Sequence, residues 1–366
     1  MKVTGIVTEY NPFHYGHLHH LRQTRSLTNC DVLINVMSGN FVQRGEPAVC
    51  DKWTRAKTAV IQGCDLVVEL PYPYVVQRGD IFAQGAIDTL KLAGIDSLVF
   101  GSETNDIERL KEYAKTSYDQ YKTAHTDGVS FAKALEQIHG VVSSNDILGI
   151  SYIKALANTN ITPYTIQRTN GYHDQQLQPI SSATAIRAAL TQGLAVEEFT
   201  PMAKDLTQPH LIADYYPYLQ TLLSTISRVE LQKYFLVDEG IESLLIRKAR
   251  TCYTWEEFIS ECISKRYSRS SIQRTLTHIL THTYKQEINE LPPLSHIRIL
   301  AFNDIGKAYL KSIKENVVIA SRFKQIPEPY RSIEMRATYA YAANLCLEKR
   351  KEVIDRELQP PVYVSV

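Results

Sequence analysis

The sequence predicts an α/β fold: a parallel sheet with crossover helices, followed by a mainly helical C-terminal region. Three observations predict it. Four short apolar runs, Val3–Val7, Asp31–Met37, Asp65–Leu70 and Ser97–Phe100, alternate with helical patterns over the first hundred residues. Glycines and prolines punctuate the ends of those patterns. Past Pro201 strand-like runs become rare and helical spacing takes over. A domain change is placed near Leu194–Pro209, giving residues 1–200 as a catalytic α/β domain and 201–366 as a helical domain.

The elements follow in order. Val3–Val7 reads as the first strand. The chain then turns through Glu9-Tyr10-Asn11-Pro12 and opens a helix at Gly16, with Leu18 and Leu21 on its apolar edge. Asp31–Met37 is the second strand and Ser38–Pro47 a polar, glycine-punctuated loop. Asp51 caps a helix carrying Trp53, Ala56 and Val60, which Gly63 ends. Asp65–Leu70 is the third strand, stopped by Pro71 and Pro73. Ile81–Leu92 is helical, with Ala83, Ala86, Ile87 and Leu90 on one face, and Gly94 ends it. Ser97–Phe100 is the fourth strand, delivered into Gly101-Ser102-Glu103. Asp106–His125 and Phe131–His139 read as helices. Asn145 caps another helix, Thr162–Arg168 is a fifth strand, Gly171–Pro179 a loop, and Ser181–Gln192 a helix closed by Gly193. Beyond lie two helical stripes, Ile272, Leu276, Ile279 and Leu280, then Ile305, Tyr309 and Ile313. Pro292-Pro293 and Pro327–Pro329 are breaks.

Composition bounds the function. The 366 residues carry 44% hydrophobic and 22% charged side chains, which argues against disorder. A formal net charge of +1 means that any nucleic-acid partner must be met by a local patch. Six cysteines are scattered without a C-x-x-C pair, so zinc-ribbon and redox-motif readings lack support and reduced thiols are expected. No apolar run approaches a membrane span, and no long apolar segment follows Lys2, so a cytoplasmic protein without a membrane partner is expected. No stable protein partner is evident.

The chemistry concentrates at Val7–His20. A strand that turns tightly into a helix offers unpaired N–H groups to an anion. His14 and His17 flank Gly16 there, and two imidazoles can donate to phosphoryl oxygens as charge builds on them. H-x-G-H alone also arises by chance, so its place after a strand and before a helix carries the argument. His14, His17, His19 and His20 raise a competing metal reading, but no Asp or Glu sits at ligand spacing beside them. Ser181-Ser182-Ala183-Thr184-Ala185-Ile186-Arg187 places hydroxyls and an arginine at a helix start, fit for a polyphosphate tail or simply an N-cap with a surface arginine. Ser38–Pro47 is a candidate seat for a small anion or a solvated loop, with Lys52 and Arg55 expected to face the same pocket. Arg247–Lys285 holds Arg247, Lys248, Arg250, Lys265, Arg266, Arg269, Arg274 and Lys285 against Glu256, Glu257 and Glu261, with Tyr253, Trp255, Tyr267 and Tyr284 among them. That suits phosphate contacts and base stacking, or a solvated helix face.

GIVTEYNPFHYGHLHH, MSGNFVQRGEPA, DLVVELP, FGSE, NDILG, SATAIR and KRYSRSSIQR, in that order, resemble the bacterial tRNA(Met) cytidine acetate ligase family, from Val3 to about Arg331. The resemblance implies a Rossmann-like domain of the nucleotidyltransferase-like superfamily with a helical C-terminal region. It implies ATP as co-substrate, bound by Val7, Thr8, Glu9, Tyr10, Asn11, Pro12, Phe13, His14, Tyr15, Gly16, His17, Leu18, His19 and His20, with Gly101, Asn145 and Arg168. It also implies acetate and elongator tRNA(Met) as the other substrates, acetyl-adenylate as intermediate and N4-acetylcytidine as product. The superfamily's I-S-S-T-x-I-R appears here one residue longer, which argues against a plain cofactor adenylyltransferase. No K-M-S-K-S run is present.

The expected reaction has two steps, with His14 and His17 catalytic and Arg168 or Arg187 as a further cation. Lys265, Arg266, Arg269 and Arg274 are expected on tRNA, and Mg2+ is expected with ATP. No protein metal ligand stands out. Glu9, Asp80 and Glu103 are candidate general bases by strand-end position. Two other readings remain: an adenylyltransferase of a small phosphorylated metabolite, and a non-catalytic ATP-sensing RNA-binding protein.

Overall fold

The computed structural model describes residues 1–116, 135, 136, 138–168, 182–238 and 240–365. The expected helices Asp106–His125 and Phe131–His139 lie partly, and Gly171–Pro179 and Ser181 wholly, outside the described residues.

Strands β1 (Val3–Thr8), β2 (Val32–Ser38), β5 (Leu66–Leu70), β6 (Ser97–Ser102) and β7 (Thr162–Gln167) form a parallel array in the order β5-β2-β1-β6-β7. Strand order reverses between β1 and β6, so their carboxyl ends flank the crevice where such sheets bind ligands. Side chains alternate across the sheet, as the two-residue period requires. Val32, Ile34, Val36, Val68, Leu98 and Phe100 pack on one face with Phe82, Ala83, Ala86, Ile87 and Leu90 of the helix Gly79–Leu92. Leu33, Met37, Val67 and Val99 pack on the other with Trp53, Ala56 and Val60 of the helix Lys52–Ile61. Asp51 caps the latter helix as expected, accepting from the N–H groups of Trp53 and Thr54.

Several local expectations need correction. The polar loop after β2 contains a small hairpin, β3 (Phe41–Val42) against β4 (Glu46–Pro47). The helix Ser144–Ala155 is capped by Ser143, whose Oγ accepts from Asp146 N–H. Asn145 lies inside its first turn, because a serine two residues earlier in the extended conformation makes the bond first. In the helix Asp304–Ile313, Ile305 is exposed, and the buried face is Gly306 and Tyr309.

The larger difference concerns the region from 201 onward. A helical body with its own core runs from Tyr216 to Tyr284, centred on Leu219, Leu245, Phe258, Ile272 and Leu276. The chain then returns to the sheet. β8 (His296–Phe302) pairs antiparallel with β5, and β9 (Val318–Ala320) and β10 (Val362–Tyr363) pair with β8. The sheet therefore draws strands from both sides of residue 200. The run His296–Phe302 is buried on both sides because helices cover both faces there, so it lacks the alternation that marks a half-exposed strand. Among the described residues no helix is long and apolar enough to cross a membrane.

A buried ion cluster joins the two ends of the chain. Lys52 Nζ lies 2.6 Å from Glu69 and 2.8 Å from Glu357, and Arg298 lies 3.0 Å from Glu69 and 2.6 Å from Glu357. Neighbouring Glu334 accepts from Tyr72 N–H at 2.6 Å, and burial and the Glu69 charge push its carboxyl up. Burial works against the ionised form of Glu357 too, yet the Arg298 and Lys52 charges outweigh it and hold that carboxyl low. Removing one member strands the others in a low dielectric. Glu357→Ala is expected to cost roughly 3–5 kcal/mol of stability, the range for breaking a buried pair, read as a shifted denaturant midpoint at constant slope. A loss below about 1 kcal/mol, the size of an exposed pair, contradicts this account.

Candidate active site

The cleft at the switch point measures about 480 Å3. Its floor is the turn after β1, where Tyr10 takes a left-handed φ of +48° and redirects the chain toward the helix Tyr15–Thr28. His14 is the N-cap of that helix, so the helix begins one residue before the expected start. The His14 Nδ1 accepts from Gly16 N–H at 3.1 Å, and His17 Nδ1 accepts from His14 N–H at 3.2 Å. The imidazoles thus do the capping work usually left to Ser, Asp and Glu. With Nδ1 of each ring committed as acceptor, the neutral ring carries its proton on Nε2. The rings stack with centroids 3.7 Å apart, and both line the cleft. Two cations so close repel, and both are withdrawn from water. Burial, then the Arg168 and Arg187 charges, lower His14 to about 3. Burial, then His14 and Arg168, lower His17 well below the ordinary value. The site therefore offers two neutral N–H donors side by side.

The rest of the turn divides into cleft and anchor. Val7, Thr8, Glu9, Tyr10, Asn11, Gly16, His19 and His20 also line the cleft. Pro12, Phe13, Tyr15 and Leu18 do not. Phe13 is fully buried, with its carbonyl accepting from Thr200 Oγ1 at 2.6 Å, and Leu18 packs on the core. Tyr15 faces solvent. His20 keeps its Nε2 buried and without a hydrogen-bond partner, and burial lowers the ring to about 4.

Gly101, Asn145 and Arg168 meet this turn across the cleft. Glu103 organises them from behind. It accepts from Asn145 Nδ2 and from Ser143 Oγ, each at 2.5 Å, and lies 3.6 Å from Arg168 Nε. The close fit of Arg168 over Gly101 leaves only 3.1 Å between its Cγ and the place a Cβ would occupy. Ser182 caps the helix Ala183–Thr191 through Ala185 N–H, and Arg187, one turn in, donates to the Asn11 carbonyl at 2.8 Å. Ser182, Thr184 and Arg187 all reach the cleft.

Lys52 and Arg55 do not face the pocket. Both are fully buried beneath it, Lys52 in the ion cluster and Arg55 on main-chain carbonyls. An apolar wall of Phe82, Phe100, Leu148, Tyr152 and Ile166 completes the cleft and is not foreseen from the sequence. In the sequence these residues look like ordinary core. Their one signal is Phe82 and Tyr152, bulky aromatics beside stripes of small residues.

The four arginines and lysines expected on tRNA separate into two places. Lys265, Arg266 and Arg269 are exposed on the helical body, with Arg269 3.0 Å from Glu256. Arg274 lies further along the helix Arg269–Leu280, half-buried. Burial, then the charges of Arg44 and Arg78, bring it down to about 10, so it stays cationic. Arg44 itself lines the cleft.

Among the described residues no group of three or more His, Cys, Asp or Glu side chains could hold a metal ion. Each of the two carboxylates on the cleft wall has one oxygen engaged: Glu9 Oε1 accepts from Gln43 N–H and Ser38 Oγ, and Glu46 Oε1 from Gln273 Nε2. This donor set does not form a Mg2+ site.

A model of the HIGH Nucleotidyl Transferase family matches residues 1–355. The tRNA(Met) cytidine acetate ligase of Anoxybacillus flavithermus is 37% identical, covering 99% of each chain. That of Bacillus subtilis is 36% identical over 93% of this chain and 92% of its own. The chain belongs to the tRNA(Met) cytidine acetate ligase family. In keeping with that, the crystal structure of Thermotoga maritima TmcAL superposes with a TM-score of 0.90 at 29% identity over the whole of both chains. A second form, bound with alpha-thio ATP, gives 0.89 at 30% identity.

In this member of the ligase family the histidines fix a pH response. An unfolded chain takes up a proton on each near pH 6.5, about the ordinary imidazole value. His14 resists to about 3, and His20, His210, His278 and His296 to about 4. Between those limits the unfolded state binds more protons, so folded stability is fully present above about pH 6.5 and falls as the pH drops toward about 4. Thermal midpoints are expected to decline steadily below about pH 6.5, and nitrogen NMR to show His14 protonated on Nε2 and not titrating above about pH 5. A His14 resonance titrating at the ordinary imidazole value refutes the buried neutral pair.

Proposed function

We propose that this chain activates acetate with ATP and transfers the acetyl group to the exocyclic amine of the wobble cytidine of elongator tRNA(Met), yielding N4-acetylcytidine, AMP and pyrophosphate. The observation that carries the reading is the pair of neutral imidazole donors at the switch point, in a chain that matches the family along its whole length. Acetate attacks the α-phosphate in line and pyrophosphate leaves. Charge grows on the equatorial oxygens, where the Nε2–H donors of His14 and His17 stabilise it without the solvation cost of a buried cation. Arg168 and Arg187, whose charges both reach His14, supply further positive charge. Gly101 and Asn145 form the wall for the nucleoside. Magnesium arriving with ATP would be held by the phosphates and water, because the described residues offer no cluster of metal-ligating side chains for it. The cytidine amine then attacks the acetyl carbonyl and AMP leaves.

Lys265, Arg266 and Arg269 take tRNA phosphates on the helical body, and Arg274 with Arg44 continues the positive path to the cleft mouth. The substrates place the reaction in the cytoplasm.

The direct test incubates the protein with acetate, ATP and tRNA(Met), then analyses the nucleosides by mass. N4-acetylcytidine at the wobble position is expected, and its absence with folded protein overturns the reading. His17→Ala is expected to slow acetyl-adenylate formation by roughly 100–1000-fold, the cost of removing one transition-state donor, while tRNA affinity holds. Arg266→Ala with Arg269→Ala is expected to do the reverse. It should weaken tRNA binding and shrink the salt slope by about one for each phosphate no longer neutralised.

A further inference from the structure

Acetyl transfer needs a proton acceptor, because the amine of cytosine is a weak nucleophile and must shed a proton as its nitrogen becomes an amide. Three strand-end carboxylates are open to the role on sequence grounds, and the structure separates them. Glu103 has both oxygens occupied, by Asn145 and Ser143, and does not line the cleft. Asp80 lies not at a strand end but in the first turn of the helix Gly79–Leu92, exposed, outside the cleft lining and paired with Arg78. Glu9 sits on the cleft floor, one residue past β1. Its hydrogen bonds from Gln43 N–H at 2.6 Å and Ser38 Oγ at 3.2 Å both fall on Oε1, and among the described residues Oε2 has no hydrogen-bond partner. Its backbone is equally fixed, since Arg55 donates to its carbonyl at 2.6 Å. Such a carboxylate is held in one rotamer and has one oxygen to spare, which is what a positioned base requires.

The surroundings set its strength. Burial pushes the Glu9 carboxyl up; the Gln43 and Ser38 hydrogen bonds and the charges of Arg44 and Arg187 oppose it without cancelling it. Tyr152 faces it from the helix Ser144–Ala155, and the Glu9 charge adds to the burial that raises that phenol. The imidazoles are poorer acceptors, because their low affinity for protons makes them donors.

We propose that Glu9 is the proton acceptor of the acetyl-transfer step, a catalytic residue distinct from the phosphate-binding histidines. The proposal rests on the acetate-ligase reading above. The amine lone pair forms the new N–C bond, the bond between the acetyl carbon and the phosphate oxygen breaks, and AMP leaves with that electron pair. One amine proton passes to Glu9 Oε2 and is later given up to solvent.

The test separates the two half-reactions in full-length protein. Acetyl-adenylate formation is followed as acetate-dependent pyrophosphate release, and transfer as single-turnover appearance of acetylcytidine. Glu9→Gln keeps an acceptor oxygen for Gln43 N–H and Ser38 Oγ, so the turn is expected to stay folded, with ATP affinity as the check. Transfer is expected to fall by roughly 100-fold or more, and by at least about tenfold more than adenylate formation. The wild-type transfer rate is expected to drop on the acid side as Glu9 takes up a proton, and the residual rate of the variant to lose that limb. Glu9→Asp, which retracts the carboxylate, is expected to keep the limb at a reduced rate. Equal loss of both half-reactions, or transfer with an unchanged pH profile, overturns the assignment of Glu9. Failure of the wild-type protein to make acetylcytidine at all overturns the function instead.

Discussion

The candidate active site hangs from one buried guanidinium. Arg55 is fully inaccessible to solvent, and its donors go to main-chain carbonyls: Glu9 at 2.6 Å, Ser38 at 3.2 Å, Cys50 at 3.1 Å, and Gly39 in a short contact. Glu9, Ser38 and Gly39 are where β1 and β2 give out. Strand ends leave carbonyls without ladder partners, and burying them unpaired is costly. Arginine satisfies several at once because its planar fork presents a fixed set of donors. The same side chain thus completes the hydrogen bonding of the strand ends and sets the spacing of the two loops that floor the cleft. A lysine could reach the place but not the geometry.

The helix that carries Arg55 is itself pinned from the far end of the chain. Lys52, one turn before, lies between Glu69 on β5 and Glu357 on the helix Leu347–Leu358, and Arg298 on β8 closes the ring of charges. Buried ion pairs add little net stability against an apolar alternative, but they are unforgiving of the wrong partner. Here they specify which helix and which strand cover the back of the site. That explains why residues beyond 290 return to the sheet: the edge beside β5 presents Glu69, and Arg298 is the cation placed opposite it in register.

The α/β order, the five parallel strands and the tight turn after β1 were legible because they rest on local rules: short apolar runs, glycine stops and a strand-turn-helix motif. His14 and His17 were legible as residues of the cleft, but their neutrality was not. It follows from mutual stacking and burial, which no spacing reveals. Lys52 and Arg55 were misplaced because a charged side chain near a site loop looks exposed in sequence. Only the tertiary supply of carboxylates and carbonyls makes their burial tolerable. β8 was missed for a related reason: seven residues covered on both faces carry neither strand nor helix periodicity. Asn145 lost its expected capping role to Ser143, and the hydrogen bond it makes instead, to Glu103, is long-range and invisible locally.

The hairpin β3–β4 ties the cleft to the helical body. On its inner side Gln43 N–H fixes the Glu9 carboxylate. On its outer side the helix Arg269–Leu280 grips it: Thr277 Oγ1 donates to the Gly45 carbonyl at 2.8 Å, and Gln273 Nε2 to Glu46 at 3.0 Å. Gly45 is required there twice over. It takes a φ of +75°, and a Cβ would fall 2.4 Å from the Arg274 backbone nitrogen. The helix bearing Arg269 at its start and Arg274 further along is therefore linked, through one turn of hairpin, to the Glu9 carboxylate on the cleft floor. A displacement of the helical body large enough to break these contacts cannot leave the Glu9 carboxylate where it is. Close packing thus gives the cleft and the helical body a common mechanical element, and the hairpin is that element.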